Sequence, residues 1–93
     1  MPANPLLPLG QVLITPGAAD ALNRAQQFAW VFVGMHSLGR WGDLCDDDKA
    51  SNDAALENGG RIMSAYRLKD RTKIWIITEA DRSSTTVLLP DEY

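Results

Sequence analysis

"RIMSAYRLKDRTKIWIITEADRSSTTVLLP", residues 61–90, decides the fold. Three runs rich in β-branched and aromatic residues, "RIMSAYRL" (61–68), "KIWIITE" (73–79) and "TTVLLP" (85–90), are separated by the polar breaks "KDRT" and "ADRSS". That spacing predicts three strands in an antiparallel meander. In the middle run Trp75 and Ile77 point one way and Ile74 and Ile76 the other, so this strand belongs in the centre of a covered sheet. Pro90 has no N–H to give to a ladder and ends the last strand.

Moving towards the N-terminus, Asn58-Gly59-Gly60 ends a helix that starts at Asp46, where Asp46, Asp47 and Asp48 put negative charge in the first turn. Before it lies "HSLGRWGDLCDDD", residues 36–48, with the only histidine and the only cysteine of the chain. Gly39 and Gly42 flank Arg40 and Trp41 and mark a turn between two helices. From Asp20 to Ser37 there is no proline, and Leu22, Ala25, Ala29, Phe32 or Val33 and His36 recur at three- and four-residue steps, a buried helical stripe. "FAWVFV", residues 28–33, is apolar nearly all round and β-rich, which fits either a helix buried on most sides or a strand; the helix is the favoured reading, with a break near Gln26 and Gln27. Thr15-Pro16 is a helix start, and Gln11 to Ile14 reads as a short strand after a proline-rich lead whose first eight residues are expected to be loose. The expected architecture is a single α+β domain over residues 1–93, with a helical N-terminal half packed on a C-terminal antiparallel sheet of three to four strands.

Composition narrows the function classes. Ninety-three residues, 45% hydrophobic and 23% charged, suffice for one modest core. No apolar run reaches 18 residues and the N-terminus lacks the basic and long apolar regions of a signal peptide, so a cytoplasmic protein with no membrane partner is expected. A single cysteine, Cys45, supplies neither an internal disulfide nor a thiolate zinc site, and its acidic neighbours are not the electropositive surroundings that activate a thiol. Asp46 to Asp48 lack the spacing of a calcium loop. There is no phosphate-cradling glycine loop and no G-x-S-x-G elbow, and no metal or cofactor is expected. A net charge of −3 and a pI near 4.9 disfavour broad nucleic-acid binding and suit a protein partner.

The charge is segregated. Residues 43–57 hold six acids (Asp43, Asp46, Asp47, Asp48, Asp53, Glu57) against Lys49, a local net charge of −5, whereas residues 61–73 hold five bases (Arg61, Arg67, Lys69, Arg71, Lys73) against Asp70, a local +4. Either these are solvated faces that partly neutralise each other, or they are presented to different partners. An acidic helix can imitate the spacing of phosphates and occupy a nucleic-acid groove on another protein. Glu79, Asp81 and Arg82 at a hairpin tip read as a turn or as a recognition loop.

His36 is where any acid–base reading begins, because it alone has an ordinary pKa near neutrality. A hydrogen-bonded helix-end histidine is the plain reading. In the catalytic reading it acts on a ribose hydroxyl while Arg67, Ser64, Thr85 or Thr86 steady a phosphate. Trp41 reads as a core plug rather than a stacking platform, and Asp43 as a cap of the second helix or a partner of Arg40.

"PLGQVLITPGA" (8–18), a histidine three residues ahead of "GRWGDL" (39–44), "GGRIMSAY" (59–66) and "KIWIITEADRSSTTVLLPDEY" (73–93) resemble a family of small proteins labelled only "plasmid-related protein", carried on proteobacterial plasmids and integrative elements. The resemblance covers residues 8–93 and is most specific in the last 21 residues. Members tend to carry Asp at the position of Arg40 and a Gly or Pro break where this chain has Gln26 to Ala29. The resemblance implies a mobile genetic element, a setting where small acidic proteins block host restriction or CRISPR machinery. A helical half with a histidine before an antiparallel sheet is more loosely similar to the barnase-, colicin- and RelE-like ribonuclease toxins, which are basic where this chain is acidic.

The leading expectation is therefore a non-enzymatic interaction protein, an anti-restriction or anti-CRISPR type of inhibitor. It would bind a host protein or nucleoprotein complex through Asp46, Asp47, Asp48, Asp53, Glu57, Glu79, Asp81 and Arg82. The alternatives are a ribonuclease using His36, Arg67, Thr85 and Thr86, a DNA- or RNA-binding regulator, and a homodimer joined by exposed apolar residues of the sheet or of "FAWVFV".

Overall fold

The computed structural model describes residues 7–93. Along the chain come strand β1 (Gln11–Ile14), helices α1 (Pro16–Ala25), α2 (Ala29–Ser37) and α3 (Asp46–Asn58), strands β2 (Ile62–Arg67), β3 (Lys73–Thr78) and β4 (Ser84–Leu88), and a 3₁₀ turn at Pro90–Glu92. This is an α+β arrangement with a four-stranded sheet in the order β1-β4-β3-β2.

The meander β2–β3–β4 is antiparallel, as its sequence indicates, but the sheet is mixed. β1 lies parallel to β4, pairing Gln11 with Ser84 and Ile14 with Val87, which corrects the all-antiparallel expectation. Only Thr15 separates β1 from α1, so the strand must run towards the end of the sheet from which the helix folds back over it.

Register and alternation put Val12, Ile14, Ile62, Ser64, Tyr66, Ile74, Ile76, Thr78, Thr85 and Val87 on one face. Ala18, Ala21 and Leu22 of α1 and Phe32 and Val33 of α2 pack on the apolar members of that set. A second cluster, Leu7, Trp41 and Ile62, is closed by Leu44, Ala55 and Leu56 beside α3. No α-helix covers the opposite face among the described residues. There the ring of Tyr93 meets Trp75 edge-on at 5.8 Å.

The local signals explain the helix ends. Thr15 Oγ1 accepts the Ala18 N–H at 3.2 Å and donates to Glu92 Oε1 at 2.6 Å, tying the start of α1 to the C-terminal turn. Glu92 also accepts from the Leu89 and Gly17 amides, and these bonds, the Thr15 hydroxyl foremost, hold its carboxyl below the usual range. The break after α1 occurs where the sequence places it, with Gln26 left-handed at φ 55° and Gln27 Oε1 accepting the Lys69 N–H at 2.7 Å.

Of the lead expected to be loose, residues 1–6 lie outside the described residues; Leu7 is buried and donates its N–H to Ser37 O at 3.2 Å. One expectation fails: "FAWVFV" is not buried on most sides, since Phe32 and Val33 turn inward while Phe28, Trp30 and Val31 are 76%, 66% and 57% exposed. No helix among the described residues is long and apolar enough to cross a membrane.

Candidate functional site

The stretch 36–48 folds into a wedge between the helices and the edge of β2. Trp41 is buried, donates its indole N–H to Asp53 Oδ1 at 3.0 Å, and meets the His36 ring edge-on at 5.7 Å. Residues 41–43 run along β2 as a short extra rung: Ala65 N–H bonds Trp41 O at 3.2 Å and Asp43 N–H bonds Ala65 O at 2.7 Å. Gly42 sits at φ 75° between them, and a Cβ there would stand 2.1 Å from Ala65 O. This backbone approach requires glycine. Asp43 pairs with Arg67 at 3.2 Å rather than with Arg40, and the N-cap of α3 is Cys45, which is exposed and makes no side-chain cap bond.

His36, in the last turn of α2, is fully buried. Its Nδ1 lies 2.6 Å from Ser64 Oγ and its Nε2 2.9 Å from Thr78 Oγ1. Thr78 Oγ1 is 2.7 Å from Thr85 Oγ1, which is 2.8 Å from the Leu9 carbonyl. That carbonyl can only accept, so the direction of the whole chain follows from it. Thr85 donates to Leu9 O, Thr78 donates to Thr85, and His36 Nε2–H donates to Thr78. Nδ1 is left as the acceptor of the Ser64 hydroxyl, and the imidazole is the neutral Nε2–H tautomer. Burial pushes its pKa down to about 4. Every buried side-chain polar atom among the described residues has a partner.

The residues named for catalysis do not converge. Thr85 joins His36 through Thr78, but Thr86 and Arg67 have the opposite alternation and lie on the other face, Arg67 engaged with Asp43. His36, Ser64, Thr78 and Thr85 are all sealed from solvent, so the network fastens α2 to the sheet and leaves no place for a phosphate.

The charged candidates separate into two sets. Asp46, Asp47, Asp48 and Glu57 are exposed, and none has a cationic partner within 4.0 Å among the described residues. Asp53, Glu79, Asp81 and Arg82 have internal partners. Asp53 holds Trp41, and Glu79 faces Arg61 at 3.6 Å. Asp81 accepts the Ser83 amide at 3.0 Å, and its bonds with Ser83 hold its carboxyl below the usual range. Arg82 Nη1 donates to Gly60 O at 2.5 Å and Nη2 to Ala55 O at 2.9 Å, capping the C-terminal end of α3. The acidic and basic segments are thus neighbours, joined directly by Asp43–Arg67. Among the described residues no group of three or more His, Cys, Asp or Glu is placed to hold a metal ion.

Three features escaped sequence reasoning. Asn52, buried in α3, mimics a strand: its Nδ2 donates to Met63 O at 2.7 Å and its Oδ1 accepts the Met63 N–H at 3.3 Å. Thr78 completes the histidine network, and the parity it shares with Ile76 and Ile74 would have found it once the register was known. The third is an open groove of about 690 Å³ lined by Ile14, Leu22, Phe28, Ala29 and Trp30. Comparison with family models, curated proteins and solved structures gives no match.

Proposed function

We propose that this chain is a non-enzymatic interaction protein of a mobile genetic element that inhibits a host defence complex by setting α3 against a basic surface. The carrying observation is the contrast between its two chemical assets. The one acid–base side chain is sealed and neutral, whereas Asp46, Asp47, Asp48 and Glu57 stand exposed on a helix with no internal counter-charge among the described residues. The helix is already formed and tied down by Arg82 on the Ala55 carbonyl and by Asn52 on β2, so no backbone has to order on binding. Carboxylates set around the first turn of α3, with Glu57 near its other end, steer a basic partner and compete for a groove that otherwise takes phosphates. The resemblance to plasmid-borne proteins supplies the setting, a restriction- or CRISPR-type target.

The test is capture from nuclease-treated host lysate with tagged wild-type protein and with Asp46→Asn, Asp47→Asn, Asp48→Asn, Glu57→Gln combined. We expect a stoichiometric protein partner that dissociates with rising salt and is absent from the variant. Asp53 is left intact because it holds Trp41. Undiminished capture by the variant, or recovery of nucleic acid alone, would overturn the proposal. The ribonuclease reading has no observation in its favour.

A further inference from the structure

The two edges of the sheet are treated differently. The β2 edge is covered by residues 41–43 and by the Asn52 side chain. The β1 edge has no partner among the described residues. Gln11 gives its N–H to Ser83 O, just ahead of β4, and Thr15 gives its own to Val87 O, so alternation turns the N–H and C=O of Val12 and Ile14 outward. "QVLI" also lacks the charge, proline or bulge with which proteins blunt an open edge. Beside this edge lies the open groove, uncharged and mostly apolar, where Asn23, Gln26 and Gln27 join Ile14, Phe28 and Trp30 in the lining.

We infer that β1 is a self-association edge, and that a second copy of this chain pairs antiparallel with it across a two-fold axis at Leu13. The pattern is self-complementary. Val12 of one copy exchanges both main-chain bonds with Ile14 of the other, and Ile14 with Val12, giving four hydrogen bonds and one continuous eight-stranded sheet. Leu13 then faces its own copy in the closer, non-hydrogen-bonded position. On the helical face Phe28 and Trp30 reach past Ile14 over the Val12 of the other copy.

Area and charge both favour a second copy. Leu13, Ile14, Phe28 and Trp30 are 42%, 41%, 76% and 66% exposed, which amounts to roughly 500 Å² of large apolar surface per copy at about 200–250 Å² for each whole residue. Two copies together reach the ~1,000 Å² that a specific interface needs, before any main chain is counted. A chain of net charge −3 repels itself, yet no residue lining the groove is ionised. The acidic helix packs by β2, at the far edge of the sheet. This surface is independent of the one proposed for the host partner.

Sedimentation equilibrium on the purified chain, with a cysteine scan, tests the inference. The expected mass is twice 10.2 kDa. Leu13→Lys, at an already exposed position, sets like charges on the axis and raises the dimer dissociation constant on the order of a hundredfold with unchanged circular dichroism. In a Cys45→Ser background, Leu13→Cys oxidises to a covalent dimer, because opposed residues of a non-hydrogen-bonded pair lie within disulfide reach, while Gln11→Cys does not. A wild-type chain that stays monomeric through the high-micromolar range overturns the inference. So does a dimer that survives Leu13→Lys and resists cross-linking at position 13.

Discussion

His36 shows what one residue contributes here. Its imidazole ordinarily titrates near 6.5, but burial brings it to about 4 in the folded chain. As pH falls below about 6.5 the unfolded chain takes up a proton that the native state refuses, so stability drops until about pH 4, by about 3 kcal/mol. Denaturation of wild type and His36→Gln across that range isolates the effect, since the carboxylates are common to both. An imidazole found by NMR to titrate near 6.5 would sink the assignment. His36→Ala is expected to cost about 3 kcal/mol or more, because it opens a cavity, takes the acceptor from the Ser64 hydroxyl and takes the donor from Thr78. Gly42→Ala is expected to be comparably damaging, combining a positive φ with a clash against Ala65 O, and its thermal midpoint should fall accordingly. The importance of both positions was visible in the sequence as a lone histidine and a glycine pair. Their role was not, because the hydroxyls that enclose His36 come from strands 28 and 42 residues away.

At the scale of elements, local chemistry and through-space contacts divide the work. The bounds of α3 follow from its acidic first turn and its terminal glycines, and the meander from its alternation. Neither accounts for what keeps α3 in place. With only Ala55 and Leu56 packed into the core and Asp53 bonded to Trp41, this helix relies on Arg82 and Asn52 for much of its remaining attachment. We therefore expect Arg82→Ala to lower stability by about 1–2 kcal/mol and to speed amide exchange selectively over residues 53–60. Exchange rising uniformly over the chain would show that α3 is not separately anchored. Conversely, Gln26→Gly relieves a left-handed residue between α1 and α2 and should stabilise by up to about 1 kcal/mol in denaturant titrations. The strand β1 was legible as a strand, but its parallel pairing was not, since four residues carry no record of which neighbour they will meet.

Over the whole molecule, charge and apolar surface are set at opposite edges of one sheet. The acidic helix lies by β2, and the uncharged edge and groove lie by β1. The two should respond oppositely to salt, capture of a basic partner weakening and self-association holding or strengthening as ionic strength rises. Neutralising Asp46, Asp47, Asp48 and Glu57 should change stability by no more than about 1 kcal/mol, losing helix-dipole interactions while relieving repulsion, as checked by thermal unfolding. The sequence by itself determined the α+β class, the element bounds, the helix break and the acidic character of α3. Each of these rests on residues within a few positions of one another, where propensity, alternation and capping act. Tertiary structure alone decided the rest: the parallel seat of β1, the sealing of His36, the diversion of Arg82 and Asp53 into the fold, and the exposure of Phe28 and Trp30. Those outcomes depend on which surfaces the chain brings together across tens of residues. Hydrogen-bond satisfaction and burial, rather than local preference, settle them.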